Sequence, residues 1–345
     1  MRFLFGVAAA VTVAVGGAAP EVSHAQVEAQ QGDTLENIIV TARRREEQVQ
    51  DVPLAISVVN AAHLEQTGTF NVGKLSQIQP SIQFYSSNPR NSAANIRGLG
   101  APFGLTNDGI EQGVGIYIDQ VYYARSATAT FDFLDVDQIE ILRGPQGTLY
   151  GKNTTAGAIS VTSRKPSFTH EADAELTYGN LGFTQGKASI SGPLADTIAF
   201  RLGTSYTQRD GTLRNAFTGK DINEQDNLGF KGHVLWQPAD GLNITFSADY
   251  THSDPLGFGQ VYVREGSTQR PLNRQYAALA AASNNYQVPS TNPFDRVTDL
   301  DANLSAKQNF GGGSVLVEWD VGPGRLTSVS AYRKWDWVPA NDRDY

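Results

Sequence analysis

The second half of the chain is dominated by segments in which apolar and polar residues alternate. For example, Leu242, Ile244 and Phe246 alternate with Asn243 and Thr245. The same pattern recurs at 172–178, 198–207, 228–237, 315–319 and, more weakly, 326–337. A period of two is typical of β-strands with one apolar and one polar face. The pattern therefore predicts an antiparallel β-structure from residue 167 onward.

A soluble β-sandwich and a membrane β-barrel both produce this alternation. Two features favour the barrel. The connections alternate between short turns, such as 239–241 and 322–324, and a long segment at 252–304, as in a barrel with short turns at one end and long loops at the other. The polar faces also carry more charged residues than a dry sandwich core would bury. We therefore predict that 167–345 belongs to an antiparallel transmembrane β-barrel whose apolar side chains face lipid.

The predicted barrel is incomplete. About seven strands fit the pattern before Tyr345, whereas barrels that enclose a plug use about 22. An open sheet edge in lipid would leave backbone groups unpaired. We therefore expect a fragment of a longer gene or a truncated product, with assembly from several chains as the alternative.

Residues 51–166 have a different pattern, which predicts a compact α+β domain. Strands are expected at 55–59, 114–121, 138–142 and 158–162. Asn60 is expected to cap a short helix that ends at Gly68, and a second helix should span 72–79 and stop before Pro80. A few short helices on a small sheet give a domain of ordinary size.

The N-terminus reads as a secretory signal. Arg2 precedes an apolar run at 3–15, and Ser23 and Ala25 place small residues where a signal peptidase cleaves. We expect a signal peptide at 1–25, with a buried N-terminal helix as the alternative. Residues 26–50 then form a flexible tail that contains a short β-prone segment, 36–42. That segment is either free to pair with another chain or an edge strand of the following domain.

Composition excludes several function classes. The formal net charge of -8 argues against a nucleic-acid partner. The chain has no cysteine, and its five histidines are scattered, so thiolate chemistry and a metal cluster are not expected. Residues 147–152 are one residue too short for a phosphate loop, and no GxSxG elbow occurs. We therefore predict neither an enzyme nor a cofactor.

The segment 136–166 reads VDQIEILRGPQGTLYGKNTTAGAISVTSRKP and resembles the plug signature of TonB-dependent outer-membrane receptors. Two further blocks, 95–100 with Arg97 and Gly98, and 114–121, follow the family order. In this resemblance the segment 36–42 corresponds to the TonB box, made of Glu36, Asn37, Ile38, Ile39, Val40, Thr41 and Ala42. The signature residues are Arg97, Gly98, Arg143, Gly144, Pro145, Gly147, Tyr150, Gly151 and Gly157.

The resemblance implies energised import of a scarce solute across the outer membrane of a Gram-negative cell. The implied partners are the TonB protein with its inner-membrane energising complex, outer-membrane lipid and a small ligand of the iron–siderophore type. Cobalamin, nickel chelates and oligosaccharides remain open as ligands, and a non-transporting remnant remains open as an alternative. A plug with a TonB box argues against a passive porin. The ligand-contacting residues are not identifiable from the sequence, and the tail is too short for an N-terminal signalling domain.

Several side chains have expected roles. The glycines at 144, 147, 151 and 157 should allow sharp turns and close backbone approach. Arg143 and Lys152 are expected to reach carboxylates of the barrel wall, with a salt bridge inside the plug as the alternative for Arg143. Gln120 replaces the glycine usual in the family's tight Asp-Gly turn, which predicts a strained or looser hairpin. The nearby loop carboxylates are expected to be solvated; they are Asp108, Glu111 and Asp119.

Overall fold

The structure is a computed structural model that describes residues 38–86, 88–101, 111–257, 259–283 and 290–338. The N-terminal part contains ten strands: β1 (Ile39–Val40), β2 (Glu47–Gln48), β3 (Ile56–Asn60), β4 (Ile82–Ser86), β5 (Ser92–Ile96), β6 (Leu99–Gly100), β7 (Val114–Ile118), β8 (Val121–Tyr122), β9 (Val136–Arg143) and β10 (Gly157–Ser163). Its helices are α1 (Ala61–Thr67), α2 (Val72–Ile78) and α3 (Gly147–Tyr150), with 3₁₀ turns at Val49–Asp51 and Ser126–Thr130. The predicted α+β domain is confirmed.

A five-stranded mixed sheet forms the centre of this domain. Its order is β3-β9-β10-β7-β8, and β10 runs parallel to β7 while the other neighbours are antiparallel. Ile139, Ile141 and Ile159 are fully buried in the sheet and contribute to the main apolar cluster with Leu75 and Val114. A second sheet, β4-β5-β6, packs beside it.

The two predicted helices form where their caps predict. The Asn60 side chain accepts a hydrogen bond from His63 N at 2.9 Å, and Gly68 ends α1 at φ +62°. The Asn71 side chain does the same for α2, accepting from Lys74 N at 3.0 Å. Each cap satisfies an N–H that has no partner within the helix, so the local sequence sets both ends of α1 and the start of α2.

The C-terminal part is a seven-stranded antiparallel sheet in the order β11-β12-β13-β16-β17-β19-β20. Its strands and those of the loops beside it are β11 (Glu171–Tyr178), β12 (Thr184–Ala195), β13 (Ile198–Arg209), β14 (Leu213–Asn215), β15 (Asp221–Ile222), β16 (Gln225–Ala239), β17 (Leu242–Ser253), β18 (Val297–Thr298), β19 (Gln308–Val321) and β20 (Gly324–Trp337). Sequence analysis located six of the seven sheet strands and missed β12. Glycine, serine and alanine are frequent on both faces of β12, so its alternation is weak.

The polar face of this sheet is the buried face. Arg201, Ser205 and Thr207 of β13 are at most 2% exposed, whereas Leu202 and Tyr206 between them are 51% and 40% exposed. The α+β domain of residues 51–166, called the plug below, packs against the polar face of the seven-stranded sheet, which is called the wall below. The apolar face of the wall points away from the plug. This orientation confirms the prediction of an outward apolar face and is opposite to that of a soluble sandwich.

Part of the long connection between β17 and β19 folds onto the hairpin β14-β15. Strand β18 pairs in parallel with β14, and the buried Asn215 exchanges two hydrogen bonds with the main chain of Leu300, at 2.8 and 3.1 Å. Elsewhere this connection forms a helix, α4 (Tyr276–Ala282), and 3₁₀ turns at Leu272–Arg274 and Pro293–Asp295. Among the described residues, no helix combines the length and the apolar character needed to cross a membrane.

Candidate functional site

The described part of segment 36–42 is a paired strand. Ile39 lies opposite Gln48 and Val40 lies opposite Glu47 in an antiparallel hairpin. Arg44, at φ +61°, turns the chain between the two strands. The expectation of a flexible tail without a partner strand is therefore wrong for residues 38–50, because 47–48 supply the partner. Glu36 and Asn37 lie outside the described residues.

Apolar and aromatic contacts hold this hairpin on the plug. Val40 and Ala42 are fully buried in a cluster with Tyr117 and Tyr150. The Arg44 guanidinium lies over the Tyr150 ring at 4.3 Å and the Tyr117 ring at 5.2 Å. A cation over aromatic rings is stabilised by the ring quadrupole. Tyr150 of the plug signature thus serves as a platform for the N-terminal segment.

Two polar side chains of β9 complete the contact. Glu140 Oε1 accepts hydrogen bonds from Thr41 N at 2.6 Å and Thr41 Oγ1 at 3.0 Å. Gln138 Nε2 donates to Ile39 O at 3.0 Å. Glu140 is fully buried, and this burial raises the pKa of its carboxyl although the donors from Thr41 oppose the shift. Sequence analysis did not single out either residue, because both lie inside an ordinary strand pattern.

The signature loop between β9 and β10 depends on three of its glycines. Gly144, Gly151 and Gly157 have φ values of +97°, +87° and +152°. A Cβ atom on Gly157 would lie 2.2 Å from Leu142 O, so only glycine fits there. Gly147 opens α3 in a helical conformation, and the predicted sharp turn is not found at that position. Pro145 lies between Gly144 and Gln146, whose N–H donates to Thr154 O at 2.9 Å.

Two tight hairpin turns use residues with positive φ. Arg97 and Gly98, at +54° and +77°, join β5 to β6. Asp119 and Gln120, at +49° and +67°, join β7 to β8. Two consecutive residues with positive φ define the turn that matches strand twist, and glycine is favoured in it. Of the two outcomes expected at Gln120, a strained or a looser hairpin, the structure has the tight turn, with a residue that carries a Cβ in a left-handed position.

Arg143 and Lys152 contact groups of the plug rather than the barrel wall. Arg143 donates to the main-chain oxygens of Ala55 and Ile56, at 3.4 and 3.2 Å. Lys152 forms an exposed ion pair with Glu111 at 2.8 Å. The expectation that both reach barrel carboxylates is therefore wrong in the described residues. Arg143 stays inside the plug, as in the alternative, but its partners are carbonyls and not a carboxylate.

The two buried ion pairs between plug and wall have the opposite polarity, because the plug supplies the carboxylate, whereas Arg164 of the plug meets the wall carboxylate Asp173 at 3.4 Å in a more exposed pair. Lys231 Nζ of β16 lies 2.6 Å from Asp119 Oδ2. Arg201 of β13 forms a bidentate contact with Asp135, with Nη2 at 2.8 Å from Oδ1. Arg201 also reaches Glu171 of β11 at 3.0 Å. A bidentate arginine–carboxylate pair fixes orientation as well as distance, so Arg201 holds Asp135 in register with β13, and the Lys231–Asp119 pair adds a contact to β16.

Asp119 was expected to be solvated, and that expectation is wrong. Its side chain is 22% exposed and accepts hydrogen bonds from Ser163 N at 2.8 Å as well as from Lys231. Burial would raise the pKa of Asp119, but the charges of Lys231 and His233 and the donors from Lys231 and Ser163 outweigh it and lower the pKa to about 2. The turn that displays Asp119 was identified from the sequence, but its partner, 112 residues further along the chain, was not. Asp108 lies outside the described residues.

A third plug carboxylate, Asp132, lies against the wall without a cation among its hydrogen-bond donors. Its Oδ1 accepts from Asn227 Nδ2 at 3.0 Å, and its Oδ2 accepts from the Thr207 hydroxyl. Burial raises the pKa of Asp132 to about 6, although the two donors oppose the shift. This group is therefore a candidate for titration near neutral pH.

An aromatic clamp joins the plug to β19 and β20. Arg333 forms an ion pair with Asp249 at 2.5 Å, and its guanidinium lies 4.7 Å from both the Tyr123 and Phe310 ring centroids. Tyr123 belongs to the plug, and the other three belong to the wall. Alternating strands show which face each residue occupies but not which plug residue it meets, so the sequence did not reveal this clamp.

A cavity of about 630 Å³ remains between the plug and strands β16, β17, β19 and β20. The plug side includes Thr41, Arg44 and Lys165, and the wall side includes Glu318 and Arg325. The N-terminal hairpin therefore lies beside a cavity next to the wall.

Residues 48–158 match the family model described as "TonB-dependent Receptor Plug Domain". The chain is 30% identical over 213 residues to the pesticin receptor of Yersinia enterocolitica, covering 61% of this chain and 30% of that receptor. It is 25% identical over 231 residues to a vitamin B12 transporter of Vibrio vulnificus, covering 66% of this chain and 36% of the transporter. The chain thus spans about a third of the length of these relatives.

Among solved structures, the ferric yersiniabactin uptake receptor from Yersinia pestis superimposes with a TM-score of 0.67 at 20% identity, covering 82% of this chain and 41% of that receptor. The fold is therefore a plug domain with antiparallel strands that resemble the barrel wall of such receptors. Residues 48–158 are therefore a plug domain of the TonB-dependent receptor type, and the chain is similar to receptors that contain this domain. The matched proteins are named as receptors or transporters.

Proposed function

We propose that this protein is an outer-membrane receptor for energised uptake of a scarce solute, with a ferric siderophore complex as the cargo. One observation carries the proposal: a plug domain of the TonB-dependent type packs on the polar face of a sheet whose apolar face points outward. A sheet that is apolar outside and polar inside suits lipid on one side and a hydrated plug on the other. Relatives that bind iron chelates favour iron, and the vitamin B12 relative makes cobalamin the second candidate.

The cargo is tested by growth. A strain that lacks its own siderophore receptors is supplied with the gene and grown under iron limitation on one ferric siderophore at a time. The proposal expects rescue by at least one of them and no rescue when TonB is deleted. The cargo would instead be cobalamin if only cobalamin rescues growth of a strain that depends on it. It would be an oligosaccharide if only an oligosaccharide rescues growth.

The segment 36–42 is proposed to be the TonB box, where the periplasmic domain of TonB binds by strand addition. Main-chain hydrogen bonds would provide the affinity. Ile39→Pro or Val40→Pro removes a donor and should abolish uptake while ligand binding at the outer face survives. Ile39→Val keeps the backbone and the β preference and should be nearly silent. Normal uptake by both proline variants would show that this segment is only an edge strand of the plug.

A further inference from the structure

The cavity of about 630 Å³ between plug and wall lies toward the short-turn end of the wall. Its lining reaches Gln237 on β16 and begins again at Asn243 on β17, on either side of the turn 239–241. On β19 the lining ends at Glu318, close to the turn 322–324. Short turns mark the periplasmic end of an outer-membrane barrel, so the cavity lies in the periplasmic half of the wall.

The wall side chains of this cavity bond to one another and not to the plug. His233 Nδ1 lies 2.8 Å from Ser247 Oγ, and Gln237 Nε2 donates to Asn243 Oδ1 at 3.0 Å. Among the described residues, no wall side chain of the lining forms a hydrogen bond with the plug. This part of the wall therefore does not hold the plug, and its hydroxyl and amide groups line the cavity.

The ion pairs that do join the plug to these strands lie on the other side of the cavity. Lys231 pairs with Asp119, and Arg333 packs on the plug while it pairs with Asp249. Lys231 and Asp249 lie just beyond the lining of β16 and β17, on the side of the long loops. A solute in the cavity is therefore separated from the outer face by both pairs.

The lining contains more cations than carboxylates. Its five cations are Arg44, Arg45, Arg164, Lys165 and Arg325, and its three carboxylates are Glu46, Asp119 and Glu318. Asp119 is already neutralised by Lys231. Within the part of the chain that the structure describes, Arg44 forms no ion pair: its Nη1 donates to Gln120 O at 3.4 Å, and its guanidinium lies over the Tyr150 ring. An excess of one charge in a cleft with low-dielectric walls concentrates ions of the opposite charge.

We propose that this cavity is a second binding site for the imported solute, occupied between the outer face and the periplasm, and that it selects a solute with an anionic group. The inference rests on the proposed function, since it takes the protein to import a solute. The volume is that of a small-molecule pocket, for which about 300–1,000 Å³ is usual. Leu235 and Leu316 add apolar contacts. The cavity therefore suits an iron chelate whose anionic group meets Arg44 while the rest of the chelate packs along the wall.

The test uses the absence of cysteine from the chain, because a single introduced cysteine is then the only thiol. Ser314→Cys places a thiol in the lining on β19. Ser330→Cys is the matched control, because Ser330 lies opposite Val315 on the apolar face of the neighbouring strand. The probes are two methanethiosulfonate reagents of similar size, one with a sulfonate group and one with a trimethylammonium group, applied to the receptor in the outer membrane.

The first measurement is the rate of labelling, with each rate divided by that of free cysteine. The proposal expects Ser314→Cys to react at least about threefold faster with the sulfonate reagent than with the trimethylammonium reagent, because the lining has an excess of positive charge. The ratio in Ser330→Cys should be close to one. A transported ferric chelate should slow the labelling of Ser314→Cys and leave that of Ser330→Cys unchanged.

The second measurement is uptake after labelling. The bound label fills part of the cavity, so labelled Ser314→Cys should lose uptake while ligand binding at the outer face and binding of the periplasmic domain of TonB are unchanged. Labelled Ser330→Cys should transport as the unmodified receptor does. Thr245→Cys, which also lies in the lining, should repeat the result and keeps the test decisive if Ser314→Cys fails to fold.

Two outcomes would overturn the inference and leave the proposed function intact. Equal rates with the two reagents, or a faster reaction with the trimethylammonium reagent, would show that the cavity does not select anions. Uptake that survives labelling of both Ser314→Cys and Thr245→Cys would show that the solute does not pass through the cavity. If the unmodified receptor imports no ferric chelate, the proposed function fails, and the inference fails with it.

Discussion

The ion pair between Asp119 and Lys231 offers a direct test of how the plug is attached to the wall. Asp119→Asn keeps the shape of the side chain but removes its charge. Lys231 would then remain 7% exposed with the Ser163 hydroxyl as its remaining close partner. Removing one member of a buried pair is costly because the other charge stays desolvated.

The size of the effect follows from the pKa of Asp119, which is lowered to about 2. An ordinary aspartate has a pKa of about 3.9, so this lowering corresponds to about 2–3 kcal/mol of stability when the group is ionised. Because folding lowers the pKa of this carboxyl, the stability that it contributes is complete above about pH 5 and is lost as the pH falls toward 2. Asp119→Asn should therefore cost about 2–3 kcal/mol at pH 7 and about half as much at pH 3.

The assay is a double-mutant cycle in urea at pH 7, with hydrogen exchange of the Ser163 amide as a local probe. That amide donates to Asp119 Oδ1 at 2.8 Å, so its exchange should accelerate in Asp119→Asn. Lys231→Met should be similarly destabilising alone, whereas the double variant should recover much of the loss, because a neutral pair leaves no unpaired buried charge. Strictly additive single losses, or single losses below about 0.5 kcal/mol, would refute the reasoning.

Three further predictions concern other residues. Gln120→Gly should raise the free energy of unfolding of the plug by about 0.5–1 kcal/mol, since glycine tolerates the left-handed turn; an unchanged thermal midpoint would show that the turn stores no strain. Because burial raises the pKa of Asp132 to about 6, its ionisation should weaken plug–wall packing as the pH rises through 6, and Asp132→Asn should make stability less dependent on pH between 5 and 7. A urea midpoint with the same pH slope in both proteins would contradict this. Cleavage of the signal should leave Gln26 as the mature N-terminus, which mass spectrometry of outer-membrane material would check, and a retained Met1 would contradict it.

The sequence by itself determined those parts of the protein that depend on local patterns. Period-two alternation located most of the wall strands and told which face is apolar, because side chains alternate strictly along a strand. Asn60 and Gly68 bounded a helix because capping involves only neighbouring residues. The turn at Asp119 and Gln120 could also be located from the sequence, since the strand pattern on either side of it is local. The block at 136–166 indicated the family.

Only the tertiary structure decided which groups meet across the plug. Asp119 and Lys231, Thr41 and Glu140, and Tyr123 and Arg333 are each separated by about a hundred residues or more, and no local period links them. The sequence suggested that Arg143 and Lys152 of the plug face wall carboxylates, whereas the buried plug–wall ion pairs join plug carboxylates to wall cations. A plug cation does meet a wall carboxylate in the more exposed pair of Arg164 with Asp173. The sequence left open whether the N-terminal segment is free to pair with another chain or is an edge strand of the plug; in the structure it pairs with β2, and two side chains of β9 bond to its other side. Such contacts depend on how the polar face of the wall sheet is aligned with the surface of the plug. The packing of the whole molecule sets that alignment, and no local sequence pattern does.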